Sequence, residues 1–428
     1  MADWARSEHP GVQAQFDRLA RLSPGGDRLG LDRIIQLLDR LGRPQDQLPP
    51  VLHVAGTNGK GSTCAFLRAA LEAAGHRVHV FTSPHLVRFN ERIRLAGALI
   101  DDDRLASLLS EVLDASEGIE PSFFEATTAV AFLAFSRTPA DAAILEVGMG
   151  GRLDATNVVD RPLVCGIAAL GIDHQHWLGS TLVQVAGEKA GIAKRGVPLV
   201  TQTYEQDAAD SVGYVASERG ARWIPRGSEW DAVPERDGIH YRDGSGELLL
   251  PLPRLAGRHQ AMNAALAVAM LRHQNVLRVP ERALVAAMRW ADWPARLQRL
   301  APGPLVGERE VWLDGSHNAN AAQALARAVR EKAPLTLIAA SLRSKDPHGL
   351  LAPFRDLAAE VLTVPIADHD CFSPEELALI AQELGMEARP LGTLVEAIAN
   401  AASGRPILIA GSLYLAGEVL ALNDQAPD

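Results

Sequence analysis

Residues 51–83 read VLHVAGTNGKGSTCAFLRAALEAAGHRVHVFTS, and their reading decides the fold. Val51–Ala55 is an uninterrupted apolar run, the pattern of a strand buried on both faces. A glycine-rich turn follows, Gly56-Thr57-Asn58-Gly59-Lys60-Gly61, and Ser62 and Thr63 stand where a helix cap is expected. Arg68 and Glu72 mark the solvent side of that helix, Gly75 ends it, and residues 78–82 read as a second strand. The unit is β-loop-α-β. Its turn suits a polyphosphate: glycines let backbone N–H groups converge, the helix start adds a positive dipole end, and Lys60 adds a mobile charge. The pattern departs from the usual phosphate loop, with Val54 at the first glycine position and Gly61 between Lys60 and Ser62. The alternative, a turn that binds nothing, fits less well with a lysine set among the glycines ahead of two hydroxyls.

Outward from this unit the chain looks like a two-domain enzyme. Its 428 residues, 47% hydrophobic and 22% charged, suit a globular α/β protein with a large core. The formal net charge of −10 argues against general nucleic-acid binding but not against a small anion in a locally basic pocket. Cys64, Cys165 and Cys371 show no zinc or disulfide spacing and read as buried small hydrophobes. No apolar signal core or membrane-length apolar run is present, which sets a cytoplasmic expectation.

The other segments repeat one theme, polar groups just past an apolar run. Residues 1–50 read as amphipathic helices. The segment TSPHLVRFNERIRL breaks after the second strand and carries Arg88, Asn90, Glu91, Arg92 and Arg94, too dense a polar group for a core. Residues 101–103 cap a helix, and Ser122, Phe123, Phe124 and Glu125 open another. Residues 142–147 form an apolar strand carrying Glu146, whose unpaired burial would be expensive. A loop with Leu153, Asp154 and Ala155 follows, and the next apolar run leads to Asp173-His174. In a parallel sheet the C-terminal strand ends share one edge, where ligands bind. Lys60, Ser83, Glu146 and His174 therefore form a candidate site, in which Ser83, Glu146 and His174 can offer ligands to a divalent ion; the imidazole is the weak member for Mg²⁺. Lys189 by itself reads as a surface lysine on a helix, and Asn263 as a residue at the start of the helix 264–271 or its cap. Residues 201–250 read as the antiparallel far side of the first domain. The breakers in APGPLVGE place a boundary near 299, giving domains 1–298 and 299–428, the second a smaller α/β domain that restarts with Val311–Leu313 and Asp314.

Seven ordered strings, HVAGTNGKGS, TSPHLVRFNERIR, FFEATT, ILEVGMGGRLDATN, GIDHQHWLG, EKAGI and LDGSHN, resemble the folylpolyglutamate synthase/dihydrofolate synthase family of the Mur-ligase superfamily. The resemblance spans most of the chain. It implies a P-loop mononucleotide-binding parallel-sheet domain flanked by helices, plus a smaller C-terminal Rossmann-like α/β domain. It implies a monomeric ATP- and Mg²⁺-dependent amide ligase that adds L-glutamate to dihydropteroate and to reduced folates through an acyl phosphate, with domain closure excluding water. By that resemblance Thr57, Asn58, Gly59, Lys60, Gly61, Ser62, Asn263, Arg296 and Asp314 contact the nucleotide. Ser83, Glu146 and His174 hold magnesium. Ser122, Phe123, Phe124, Glu125, Leu153, Asp154 and Ala155 bind the pterin. Lys60, Lys189, matching a lysine that is carbamylated in the superfamily, and His317 complete the catalytic set. The chain departs from the family pattern at His176, Ala295, Ser316 and Ala319. Three other functions remain open: a monofunctional folylpolyglutamate synthase; a cell-wall Mur ligase, disfavoured because about 50 residues precede the phosphate loop, too few for a UDP-binding domain; and a nucleotide-binding switch without turnover.

Overall fold

A computed structural model describes residues 6–22 and 29–428. The strand read from 51–83 is β1 (Val51–Ala55), followed by β2 (Val78–Phe81), β3 (Ile93–Leu95), β4 (Ala98–Leu99), β5 (Ala142–Glu146), β6 (Val164–Ile167), β7 (Pro198–Thr201) and β8 (Arg222–Pro225). They form one eight-stranded sheet in the order β4-β3-β2-β5-β1-β6-β7-β8. All neighbours from β2 to β8 run parallel, while β3 and β4 turn back antiparallel at one edge. Every residue of β1, β2, β5 and β6 is buried, which explains runs without polar alternation. The crossovers place helices on both faces, so the C-terminal ends of β2, β5, β1 and β6 stand side by side.

One face is sealed by the helices Pro10–Leu22, Asp32–Arg40, Asp102–Ala115 and Phe123–Ser136, whose buried residues include Phe16, Ile34, Leu109 and Phe132. Each such large side chain contributes roughly 2 kcal/mol by leaving water. Ile35, on the opposite side of its helix, is exposed. The segment 88–94, too polar to read as core, nevertheless buries Arg92 fully. Its guanidinium lies over the rings of Phe89 and Phe123, at 5.4 and 5.6 Å, and its Nε donates to His85 Nδ1 at 2.8 Å. Aromatic faces and a hydrogen bond let a planar cation sit where an ammonium would not. Residues 201–250 split into two pieces. β8 extends the parallel sheet, and β9 (Trp230–Pro234), β10 (Ile239–Asp243) and β11 (Gly246–Leu250) form a separate three-stranded antiparallel sheet.

The chain divides into two compact units, Met1–Arg254 with Gln260–Asp292, and Leu255–His259 with Trp293–Asp428. The second has β12 (Gln298–Arg299), β13 (Val311–Leu313), β14 (Leu335–Ala339), β15 (Ala358–Thr363), β16 (Ala388–Pro390) and β17 (Ile407–Ala410). Their order is β12-β13-β17-β14-β15-β16, parallel except for β12. It has its own core around Leu325, Leu337, Phe354, Leu377 and Leu408. This two-sheet α/β architecture agrees with the fold class expected from the sequence. Cys64 and Cys165 are buried free thiols, whereas Cys371 is half-buried, its Sγ accepting the Ile366 N–H at 3.4 Å because it lies in a loop. Among the described residues no helix is long and apolar enough to cross a membrane.

Candidate active site

The helix after the glycine turn begins at Lys60, with Gly59 as N-cap at φ +85°. Ser62 and Thr63 are therefore residues of its first turn and not caps; Thr63 Oγ1 bonds back to Gly59 O at 2.8 Å. The left-handed conformation forces this position to be Gly59, and a Cβ there would strike the Asn263 side chain. Thr57 N and Asn58 N both donate to Ala169 O, at 2.8 and 3.2 Å, which ties the turn to the segment after β6. The N–H groups from Gly59 to Ser62 start the helix and have no intrahelical acceptor. Ser62 Oγ is buried without a hydrogen-bond partner among the described residues. A polar atom left so, behind a lysine and a row of backbone donors, fits a phosphate oxygen or its counter-ion.

Glu146 ends β5 with its side chain 5% exposed. Its Oε1 lies 3.9 Å from Lys60 Nζ, and its Oε2 accepts the Ser83 N–H at 3.3 Å. The fold thus brings Lys60, Ser83 and Glu146 together from the ends of three neighbouring strands. His174 follows β6 in an exposed one-turn helix, Gln175–Leu178, as its N-cap at φ +51°, its backbone N–H on Asp173 Oδ1 at 2.8 Å. Among the described residues no three His, Cys, Asp or Glu side chains converge as a metal centre. A hydroxyl, one carboxylate and one imidazole, completed by phosphate and water, is a donor set that fits a Mg²⁺-like ion, which takes few protein ligands.

Lys189 differs from a surface lysine. It ends the helix Leu182–Ala190, is 4% exposed, and donates to Gly56 O at 3.0 Å. Burial, with the charge of Lys60 next, lowers its amine from 10.5 to about 7. The glycine loop after β5 packs on the same helix end, Arg152 N donating to Glu188 O at 2.9 Å.

The two loops read as pterin-binding also meet. Ser122 caps the helix Phe123–Ser136, accepting Glu125 N at 3.2 Å while Glu125 Oε2 accepts Ser122 N at 2.7 Å. Arg33 Nε donates to the same Oε2 at 3.0 Å, so Glu125 ties the start of this helix to the helix Asp32–Arg40. Phe123 lies in the core; Phe124, half-buried, lies over Gly148, where a Cβ would strike its ring. Asp154 is 3% exposed. Its Oδ2 accepts Met149 N at 2.8 Å and its Oδ1 accepts Thr156 N at 3.0 Å. Burial raises its carboxyl from the ordinary value and the hydrogen bonds oppose that. Leu153 is half-buried and Ala155 buried beside it.

Asn263 lies inside the helix Arg258–Arg272 and not at its start, because that helix begins before it; its Nδ2 donates to Gln260 Oε1 at 3.1 Å. In the second unit Asp314 follows β13, with Oδ2 on Leu297 N and Oδ1 on Ser316 N, both at 2.8 Å. Arg296 is flanked by Ala295 at φ +56° and Leu297 at φ +44°, and its Nη1 donates to Ala295 O at 2.8 Å. The left-handed backbone at Ala295 is one that glycine adopts without strain and an alanine adopts at a cost. His317 Nδ1 bonds to Gly315 O at 3.0 Å, which fixes the ring beside the Asp314 turn. His259, lowered by burial although Asp314 opposes the shift, also sits here, and the sequence held no local signal for it.

Comparison with known proteins follows this geometry. Residues 306–422 match the family described as dihydrofolate synthetase, C-terminal domain. The dihydrofolate synthase/folylpolyglutamate synthase of Bacillus subtilis is 32% identical over 430 residues, 92% of this chain and 95% of that one. A structure of Escherichia coli FolC in complex with DHPP and ADP is 32% identical with a TM-score of 0.88, covering 97% of this chain and 98% of that one. A Yersinia pestis bifunctional folylpolyglutamate synthase/dihydrofolate synthase complexed with AMPPNP and Mn ion is 31% identical with a TM-score of 0.85, covering 96% and 97%.

Proposed function

The chain belongs to the folylpolyglutamate synthase/dihydrofolate synthase family, and from that premise we propose that it ligates L-glutamate to dihydropteroate and to reduced folates at the expense of ATP. The observation that carries the reading is Lys60 beside the buried Glu146 at the end of a glycine turn, with the Ser62 hydroxyl of the same helical turn buried without a hydrogen-bond partner among the described residues. The substrate carboxylate attacks the γ-phosphorus, ADP leaves, and an acyl phosphate remains. The glutamate amine then attacks the acyl carbon, loses its proton, and phosphate leaves.

Lys60 and the N–H groups from Gly59 to Ser62 hold the phosphate oxygens and offset charge that develops during transfer. Ser83, Glu146 and His174 would hold a divalent cation, which when bound neutralises phosphate charge. Lys189, with its amine near neutrality, is suited to add CO₂ as a carbamate, turning a cation beside Lys60 into an oxygen donor. Thr57, Asn58 and Asn263 are nucleotide contacts of the first unit, Arg296 and Asp314 those of the second, and His317 belongs to the catalytic set at the phosphate region. Ser122, Phe123, Phe124, Glu125, Leu153, Asp154 and Ala155 form the pterin loops. Residues 1–298 carry the nucleotide and pterin roles and 299–428 the smaller ligase domain, in a monomeric cytoplasmic enzyme.

Purified protein assayed with ATP, Mg²⁺ and L-glutamate should release phosphate with dihydropteroate and with tetrahydrofolate. Release with tetrahydrofolate alone makes it monofunctional; release with neither overturns the reading. Lys60→Ala should lower kcat on the order of a thousandfold, the scale of losing one charge-stabilising donor.

A further inference from the structure

Asp154 is held by a chain of groups that begins in the middle of the sheet. Thr156 Oγ1 lies 2.5 Å from Asp154 Oδ1 and 2.8 Å from His53 Nε2. The hydroxyl has a single proton. Asp154 also accepts the Thr156 and Met149 N–H groups, so its carboxyl oxygens serve as acceptors in this cluster. The Thr156 proton therefore points to Asp154, and the hydroxyl lone pair accepts from His53. That requires the tautomer with the proton on Nε2, and it agrees with His53 Nδ1 having no hydrogen-bond partner among the described residues. His53 is fully buried on β1, which pairs with β5 on one side and β6 on the other, so the ring has a rigid base. Its imidazole is kept neutral by burial and then by Lys194, which preserves the direction of the chain across the pH range of the enzyme. The same Asp154 side chain caps the short helix Ala155–Val158 by accepting the Thr156 N–H.

We propose that His53 and Thr156 are positioning residues for the pterin substrate: the imidazole sets the Thr156 rotamer, and the Thr156 hydroxyl turns the Asp154 carboxylate to receive the N–H edge of the pterin ring. The inference rests on the pterin reading of the Asp154 loop given above. Oδ1 takes two donors from Thr156, Oδ2 takes the Met149 N–H, and Gly148 adds a further backbone donor, so the plane of the carboxylate is set by groups outside the substrate.

Steady-state kinetics of His53→Leu, His53→Gln and Thr156→Val test it, varying dihydropteroate, tetrahydrofolate, ATP and glutamate in turn. His53→Leu and Thr156→Val should raise KM for the pterin substrates about tenfold, the scale of one misdirected hydrogen bond to a charged group, and leave kcat and KM for ATP unchanged. His53→Gln, whose amide N–H₂ reaches the place of Nε2, should restore the parent KM. Thr156→Val is nearly isosteric and carries the test where His53→Leu does not fold. A pterin KM unchanged in folded Thr156→Val overturns the positioning role and leaves the ligase reading intact, as does an equal loss towards every substrate. A parent protein that neither binds nor ligates a pterin in titration calorimetry removes both.

Discussion

His53 and Lys189 are both bases buried beside β1, and burial pushes both towards their neutral forms. His53 falls from 6.5 to about 3, so between those values the unfolded chain binds a proton that the folded chain refuses. Its contribution to stability is fully present above pH 6.5 and is lost as pH falls towards 3. The melting temperature of His53→Gln should therefore fall less steeply than that of the parent between pH 6.5 and 4 (about the linked range); parallel slopes would contradict the buried neutral ring. Lys189, lowered to about 7, is roughly half unprotonated at neutral pH, and only the free amine adds to CO₂. Ligase activity should drop several-fold in CO₂-depleted buffer and return on adding bicarbonate, while Lys189→Arg stays inactive in both. Neither environment was legible in the sequence. A lysine in EKAGI looks like any helix-surface lysine until the fold places Gly56 O against its amine.

The glycine turn and the helix Lys60–Ala73 act as one element. Their order was readable from 51–83, because apolar run, glycines and helical spacing are local patterns. The helix start was not, because Ser62 and Thr63 have good capping chemistry, yet Gly59 alone can adopt the left-handed entry against Asn263. A Cβ at Gly59 meets a side chain from a helix two hundred residues away in sequence, roughly judged, and a non-glycine residue there costs about 1–2 kcal/mol before any clash. Gly59→Ala should lower the melting temperature by several degrees and raise KM for ATP about tenfold, the affinity change of 1.4 kcal/mol. An unchanged nucleotide titration would show that the turn does not hold phosphate. Arg92 gives the opposite lesson. Its charged neighbours looked too polar for a core, but Phe89 and Phe123, the second of them distant in sequence, supply the rings that bury it.

On the scale of the molecule, two sheets with separate cores explain how one chain supplies both a glycine turn and a second strand-end cluster at Asp314 and His317. Light scattering should give a single species of one chain's mass at all working concentrations; a concentration-dependent dimer would contradict the monomer. The sequence by itself determined the parallel α/β class, the order of the polar strand-end segments and the family, since period, punctuation and motif order are carried by neighbouring residues. Only the tertiary structure decided that Glu146 faces Lys60, that Lys189 is buried, and that His53 reaches Asp154 through Thr156. Those facts depend on which strands lie side by side, and adjacency in a sheet is set by crossovers that bring residues close in space regardless of their separation along the chain.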